Sequence, residues 1–268
     1  MTSVCGLYNI VSNEKISDEH EIYSMLIDAP QIAEAAGPGQ FAHIKCGDLT
    51  LRRPISIASA ESGKVRMCYD VRGEGTKWLS EQKSGGKIDI IGPLGKGFDV
   101  LDKSKKVLLV GGGIGIYPLY FVAKAYADFN KTDNVYIALG FRSKGFITLE
   151  KEFTEVSNKL YITTDDGFYG IKGFATDIIS EILGNNKIDI LMTCGPKMMM
   201  KIAANEAVKR NIRCQVSIEE RMGCGVGACL SCACKIKNET NGEFAIKRVC
   251  TDGPVFDIIK GDEVDWTW

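Results

Sequence analysis

The 268-residue chain predicts a multi-domain α+β fold. An N-terminal antiparallel β-barrel is expected over residues 1–98, a central α/β parallel-sheet domain over 99–218, and a small cysteine-rich segment over 219–268. Three observations predict it. The first third breaks into short strands separated by Gly, Pro, Asp and Ser. From about residue 99, continuous apolar strands alternate with segments of helical length. Five of the ten Cys then fall between residues 224 and 250.

In the first part the expected strands are residues 21–27, 41–45, 64–71 and 87–91, with one short helix at 76–81. Short strands of this kind bury one face each and close as a small barrel or sandwich. R-R-P-I-S at 52–56 puts an Arg, able to pair with pyrophosphate, beside a Ser hydroxyl able to hydrogen-bond a ring nitrogen. G-E-G-T at 73–76 opens the short helix and offers backbone N–H groups to an anion. Each motif alone is equally an ordinary strand end or turn. His20 and His43 fall in this part away from every motif, so both are expected to be ordinary surface or strand residues.

In the second part, strands are expected at 106–110, 135–139, 160–163, 188–194 and 213–218, and helices at 116–129, 173–183 and 197–210. The alternation builds βαβ units and a parallel sheet buried on both faces. V-L-L-V-G-G-G-I-G at 107–115 runs an apolar strand into Gly111, Gly112, Gly113 and Gly115 and then a helix, which aims N–H groups at a pyrophosphate. The strict G-x-G-x-x-G fails because Ile116 stands where the third Gly would, so a tight turn without ligand competes. T-C-G-P at 193–196 ends a later strand. Pro196 is ordinary helix initiation, but the carboxyl end of a parallel strand is where α/β sheets bind ligands.

No Asp or Glu follows the strand at 135–139 to read a ribose 2′-hydroxyl. Arg142 or Ser143 suits a 2′-phosphate or plain solvent; Asp165, Asp166 and Gly167 suit ribose or a plain turn. NAD and NADP both stay open on these residues. Met198, Met199 and Met200 are expected to pack rather than to act.

In the last part, Cys224, Cys229 and Cys232 are spaced C-x4-C-x2-C, and Cys250 follows 18 residues later. This is the spacing of plant-type 2Fe–2S sites. Four thiolates must converge on a compact core while the chain curls round with N–H groups inward, which needs the small residues Gly223, Gly225, Gly227 and Ala228. A structural zinc is the competitor, but zinc favours paired C-x2-C knuckles and only one is present. Cys234 is a fifth thiol; strand alternation points it away from Cys232, as a spectator. Residues 233–237 and 243–249 are expected to pair as a hairpin.

Composition narrows the function. Lys and Arg total 33 against 34 Asp and Glu, so no basic surplus calls for nucleic acid. The longest uncharged run, 107–123, is Gly-rich and too short to span a membrane. Ten Cys with no basic-then-apolar start suggest a reducing, cytoplasmic setting.

The order of R-P-I-S, G-E-G-T, G-P-L-G-K-G-F at 92–98, G-G-G-I-G, C-G-P, C-G-V-G-A-C-L-S-C and V-C-T-D-G-P-V-F at 249–256 resembles the ferredoxin–NADP reductase superfamily. Within it, the electron-transfer subunits of type B dihydroorotate dehydrogenases are most similar, over nearly the whole length. The resemblance implies FAD in the barrel, lined by Arg53, Pro54, Ile55 and Ser56, then Asp70, Val71, Arg72, Gly75 and Thr76. It implies NAD at Gly111, Gly112, Gly113 and Gly115 and at Gly195 and Pro196, with Cys194 near the reacting ring as the catalytic candidate. It implies a 2Fe–2S cluster on Cys224, Cys229, Cys232 and Cys250. It also implies an FMN-containing catalytic partner subunit in a heterotetramer, serving pyrimidine biosynthesis.

Two rivals stand. The small FAD/2Fe–2S subunit of another NAD(P)H:ferredoxin-type oxidoreductase is one; in the NADH-dependent ferredoxin–NADP family one cluster ligand is an Asp, whereas all four positions here are Cys. A cluster- or zinc-bearing redox sensor is the other; it would have no use for R-P-I-S and G-E-G-T.

Overall fold

A computed structural model describes residues 3–17, 19–100, 102, 104–127, 132–237, 243–258 and 264–266. The first part is β1 (Val4–Lys15), β2 (Ile22–Asp28), α1 (Pro30–Ala35), β3 (Phe41–Ile44), β4 (Arg53–Glu61), β5 (Lys64–Asp70), α2 (Glu74–Ser80) and β6 (Lys87–Leu94). The six strands close into a barrel in the order β1-β2-β5-β4-β3-β6, all antiparallel. Alternation along each strand sends Ile10, Met25, Ile27, Ile44, Ile57, Met67, Ile88 and Ile90 inward, each at most 2% exposed. Closure leaves no open sheet edge to manage.

The second part is β7 (Val107–Gly112), α3 (Ile116–Ala127), β8 (Val135–Phe141), α4 (Glu150–Glu155), β9 (Lys159–Thr164), β10 (Ile171–Lys172), α5 (Ile179–Asn185), β11 (Ile190–Cys194), α6 (Lys197–Lys209) and β12 (Arg213–Ser217). These strands pair in parallel in the order β10-β9-β8-β7-β11-β12. Val107, Leu108, Leu109 and Val110 of β7 are fully buried, as a central strand covered on both faces requires. The helix expected at 173–183 is confined to α5; Asp177 accepts the Phe174 N–H at 2.8 Å and holds the stretch before it in a turn.

The last part supplies β13 (Ala233–Lys237), β14 (Phe244–Arg248) and β15 (Val255–Ile258). β13 and β14 form the expected antiparallel ladder; their connection at 238–242 lies outside the described residues, as does Trp268. β15 was not foreseen. It adds antiparallel to β12 as the seventh strand, with Val255 opposite Ser217 and Ile258 opposite Cys214. A Lys96–Pro254 bridge ties the same stretch to the barrel's exit.

Shared cores join the parts. Cys68 and Ala58 of the barrel pack with Tyr117, Leu119 and Phe153, and Cys232, Cys234 and Cys250 pack with Val216, Phe256 and Phe41. Cys234 is buried, as are Cys232 and Cys250. Among the described residues, no helix is long and apolar enough to cross a membrane.

Candidate functional site

Two loops at the carboxyl edge of the parallel sheet interlock through glycine. β7 and β11 are neighbours with Gly111 opposite Cys194. A Cβ on Gly115 would stand 2.4 Å from the Cys194 carbonyl oxygen and 2.5 Å from the Gly195 nitrogen. Gly195, at φ +145°, would bring a Cβ within 2.7 Å of the Gly112 oxygen. Only glycine permits backbones this close. Beside them lies a cavity of about 720 Å³, lined by Gly112, Gly113 and Pro196 from the sheet and by His20, Asp70 and Arg72 from the barrel. Its size suits a dinucleotide half. The bare glycine backbone and the start of α3 offer N–H groups where phosphate would lie, so these residues fit the nucleotide.

Arg142 and Asp165 also line this cavity. Ser143 does not: its hydroxyl donates to Glu19 at 2.9 Å. Asp166 is spent on a turn, accepting the Phe168 N–H at 3.1 Å. Met200 is buried in the core and Met199 packs against it, as expected, although Met199 also lines the cavity; Met198, 63% exposed, lines the cavity only.

Cys194 ends β11 beside Ser217. Burial pushes its thiol up to about 12, against the opposing pull of the Ser217 hydroxyl. It is therefore a neutral thiol at neutral pH, suited to packing on a ring and not to nucleophilic attack.

The R-P-I-S strand is β4, and its Arg53 reaches across to the G-E-G-T turn. A Cβ on Gly75 would meet Arg53 Nε at 2.4 Å, so the guanidinium lies on the bare backbone where α2 begins. Thr76 ties that turn: its hydroxyl accepts the N–H groups of Arg72 at 2.9 Å and Gly73 at 3.2 Å. Asp70 holds Arg72 Nε at 3.0 Å and faces His20 Nδ1 at 3.4 Å. Ile55 is buried beside half-buried Pro54 and Ser56, and Val71 is held by its N–H to the Glu21 carbonyl at 3.0 Å. An Arg over a helix start, next to a strand offering a hydroxyl, fits a flavin diphosphate. Thr76→Ala is expected to cost about 1 kcal/mol through the lost turn bonds and to raise the flavin dissociation constant, read by fluorescence on reconstitution; unchanged retention would show that the turn needs no tie.

The cysteine segment curls around its sulfurs. Cys224 Sγ accepts N–H groups from Ala228 at 3.2 Å, Cys229 at 3.4 Å and Val226 at 3.5 Å, and Cys229 Sγ accepts that of Cys224 at 3.3 Å. Gly225 and Gly227 make the curl with φ of +72° and +83°. Hydrogen bonds from Ser231, then from Cys224, pull the Cys229 thiol down to about 6. Burial pushes Cys250 up to about 12, with Cys232 adding to it through a shared hydrogen bond. The thiols thus stand as two couples, Cys224 with Cys229 and Cys232 with Cys250. Among the described residues, no three His, Cys, Asp or Glu converge on a point as for a single ion. Four inward N–H groups on the Cys224 and Cys229 sulfurs, with Cys232 and Cys250 buried next to them, fit a two-iron core held by four thiolates.

His43 is a strand residue of β3 and His20 is partly exposed, as expected, but neither is remote from the motifs in space. His20 lines the dinucleotide cavity, its ring 4.6 Å from that of Phe146. His43 is fully buried and lies against the cysteine segment: a Cβ on Gly225 would be 2.6 Å from its Nδ1. Their remoteness along the chain hid this, because barrel closure and domain packing decide which loops they meet.

Comparison with known proteins gives concordant findings. Residues 219–264 match the iron–sulfur cluster binding domain of dihydroorotate dehydrogenase B, and residues 109–205 match the oxidoreductase NAD-binding domain. The chain is 43% identical over 248 residues to the dihydroorotate dehydrogenase B (NAD(+)) electron transfer subunit of Caldanaerobacter subterraneus, covering 92% of this chain and 94% of the relative. It is 40% identical over 260 residues to the same-named subunit of Shouchella clausii, covering 94% and 96%. Among solved structures, a chain of an NADH-dependent reduced ferredoxin–NADP oxidoreductase superposes with a TM-score of 0.84 at 35% identity, covering 97% of this chain and 90% of that one.

Proposed function

The chain belongs to the family of dihydroorotate dehydrogenase B (NAD(+)) electron transfer subunits, and from that premise we propose how its residues divide the work. It is the electron-transfer component of an NAD-dependent oxidoreductase, using FAD, a 2Fe–2S cluster and NAD, in pyrimidine biosynthesis. Flavin trades electrons with nicotinamide as a hydride and with an iron–sulfur cluster one at a time, so it belongs between the two. The partner oxidises dihydroorotate to orotate at its own FMN and releases two electrons, which leave this chain on NAD+.

Residues 1–98 hold the flavin, 99–218 the nicotinamide nucleotide and 219–268 the cluster. Arg53 neutralises the flavin pyrophosphate at the Gly75 and Thr76 turn, and Pro54, Ile55 and Ser56 with Asp70, Val71 and Arg72 line the rest of its site. Gly111, Gly112, Gly113 and Gly115 admit the NAD pyrophosphate to bare backbone. Gly195 and Pro196 shape the turn that presents Cys194, whose neutral thiol packs on the nicotinamide side and excludes water. Cys224, Cys229, Cys232 and Cys250 ligate the irons. The observation that carries the reading is the turn whose four N–H groups point at the Cys224 and Cys229 sulfurs, on a chain whose other two parts each carry a fitting nucleotide cradle.

The partner is the FMN-containing catalytic subunit, two of each in a heterotetramer. Val226 and Leu230, 51 and 60% exposed on the turn that carries the exposed Cys229, offer it apolar contact. All ten Cys are free, which agrees with a cytoplasmic setting.

Expression with such a partner and anaerobic purification tests the reading. One FAD and two irons per chain, with NADH formed from dihydroorotate and NAD+ only when both subunits are present, is the expected result. A colourless protein loaded with zinc would sink it.

A further inference from the structure

His43 occupies a position that the mechanism above leaves unused. It lies on β3, opposite Pro54 of the flavin strand β4. Its backbone is fixed: Arg52 donates to the His43 carbonyl at 3.3 Å and grips both Asp89 carboxylate oxygens at 2.9 and 3.0 Å. Its side chain is 0% exposed, yet neither ring nitrogen has a hydrogen-bond partner. A buried imidazole without partners forfeits its hydration with nothing in return. Such a group is retained where something else needs it.

What faces it is the cluster turn. Nδ1 lies so near Gly225 that no side chain fits there. The Cys224 carbonyl acts on the ring from that side, short of bonding geometry, and the Arg52 carbonyl acts on it from the flavin-strand side. One buried ring thus touches the turn of the first cluster ligand and the strand that lines the flavin. Glycine at 225 is required by the approach as well as by its φ of +72°.

We propose that His43 is a positioning residue that clasps the cluster turn to the flavin strand, its Nδ1–H given to the Cys224 carbonyl once the cluster draws the turn tight, so that it sets the spacing across which electrons pass. The clasp presupposes the electron-transfer reading given above.

Two variants separate a clasp from a mere space-filler. His43→Leu keeps the volume, removes the unsatisfied nitrogens and suits an apolar surrounding, so it folds at least as well as the parent. His43→Gln keeps a donor at a similar reach. In the loaded holoprotein, NADH is mixed anaerobically and the absorbances of flavin and cluster are followed separately, while amide exchange of residues 223–229 is read by mass spectrometry. His43→Leu is expected to leave flavin reduction unchanged, slow cluster reduction severalfold, since electron transfer falls off exponentially as the gap widens, and speed exchange across the turn. His43→Gln is expected to restore both. Parental exchange and transfer in His43→Leu would overturn the clasp, as would His43→Gln behaving like His43→Leu. Failure of the underlying reading looks different: the parent itself would then lack iron.

Discussion

Cys232→Ser is expected to strip the cluster and abolish electron delivery between NADH and the catalytic partner, while NADH-to-dye reduction through the flavin continues at the parental rate. Cys232 is 2% exposed, sits in the shared core and makes a couple with Cys250. Replacing its sulfur by a hydroxyl leaves a poor iron ligand in an apolar setting. The fold loses roughly 1–3 kcal/mol through the buried hydroxyl, which a chain with two other intact nucleotide-binding parts survives. The functional loss is large because a neutral hydroxyl, unlike a thiolate or a carboxylate, gives that iron no anionic ligand. Iron analysis, the visible spectrum and the two activities on one preparation decide it. Loss of dye reduction in a variant that still binds flavin would refute the order of carriers, since it would put the cluster ahead of the flavin on the NADH side.

Gly115→Ala is expected to raise the KM for NADH about tenfold or more, with flavin and iron content unchanged. Its Cβ would meet three backbone atoms, the Cys194 oxygen at 2.4 Å, the Cys194 carbonyl carbon at 2.5 Å and the Gly195 nitrogen at 2.5 Å. Backbone cannot swing aside as a side chain would, so the first turn before α3 and the C-G-P turn must part. Overpacking of this kind costs about 1–3 kcal/mol, and each 1.4 kcal/mol is tenfold in affinity. The displaced groups are those offered to the nucleotide, so the cost falls on binding as well as on stability. Gly184→Ala is the control: it lies inside α5 with nothing within 4 Å of an added Cβ. It is expected to stabilise by up to about 1 kcal/mol and to leave KM alone. Equal KM values for Gly115→Ala and the parent would show that the interlocked loops do not shape the nucleotide site.

Legibility followed the range of the chemistry. The cysteine spacing was readable because its four ligands lie within 27 residues and one short curl brings three of them together. β7 was readable because a strand buried on both faces has no polar position. β15 was not, since an edge strand of four residues carries little pattern and exists only because β12 offers an open side. Glu19, seated on the loop after β8 through Ser143, could not be foreseen either; its carboxylate arrives from the barrel.

By itself the sequence determined the three kinds of local structure and the chemistry each can host, because turns, periodicity and ligand spacing act over a few residues. Which cradle faces which is set by long-range packing. It put His20 and Asp70 into the nucleotide cavity and set a buried imidazole between the flavin strand and the cluster turn. Those meetings follow from barrel closure and from shared cores linking residues far apart in the chain, and no local pattern records them.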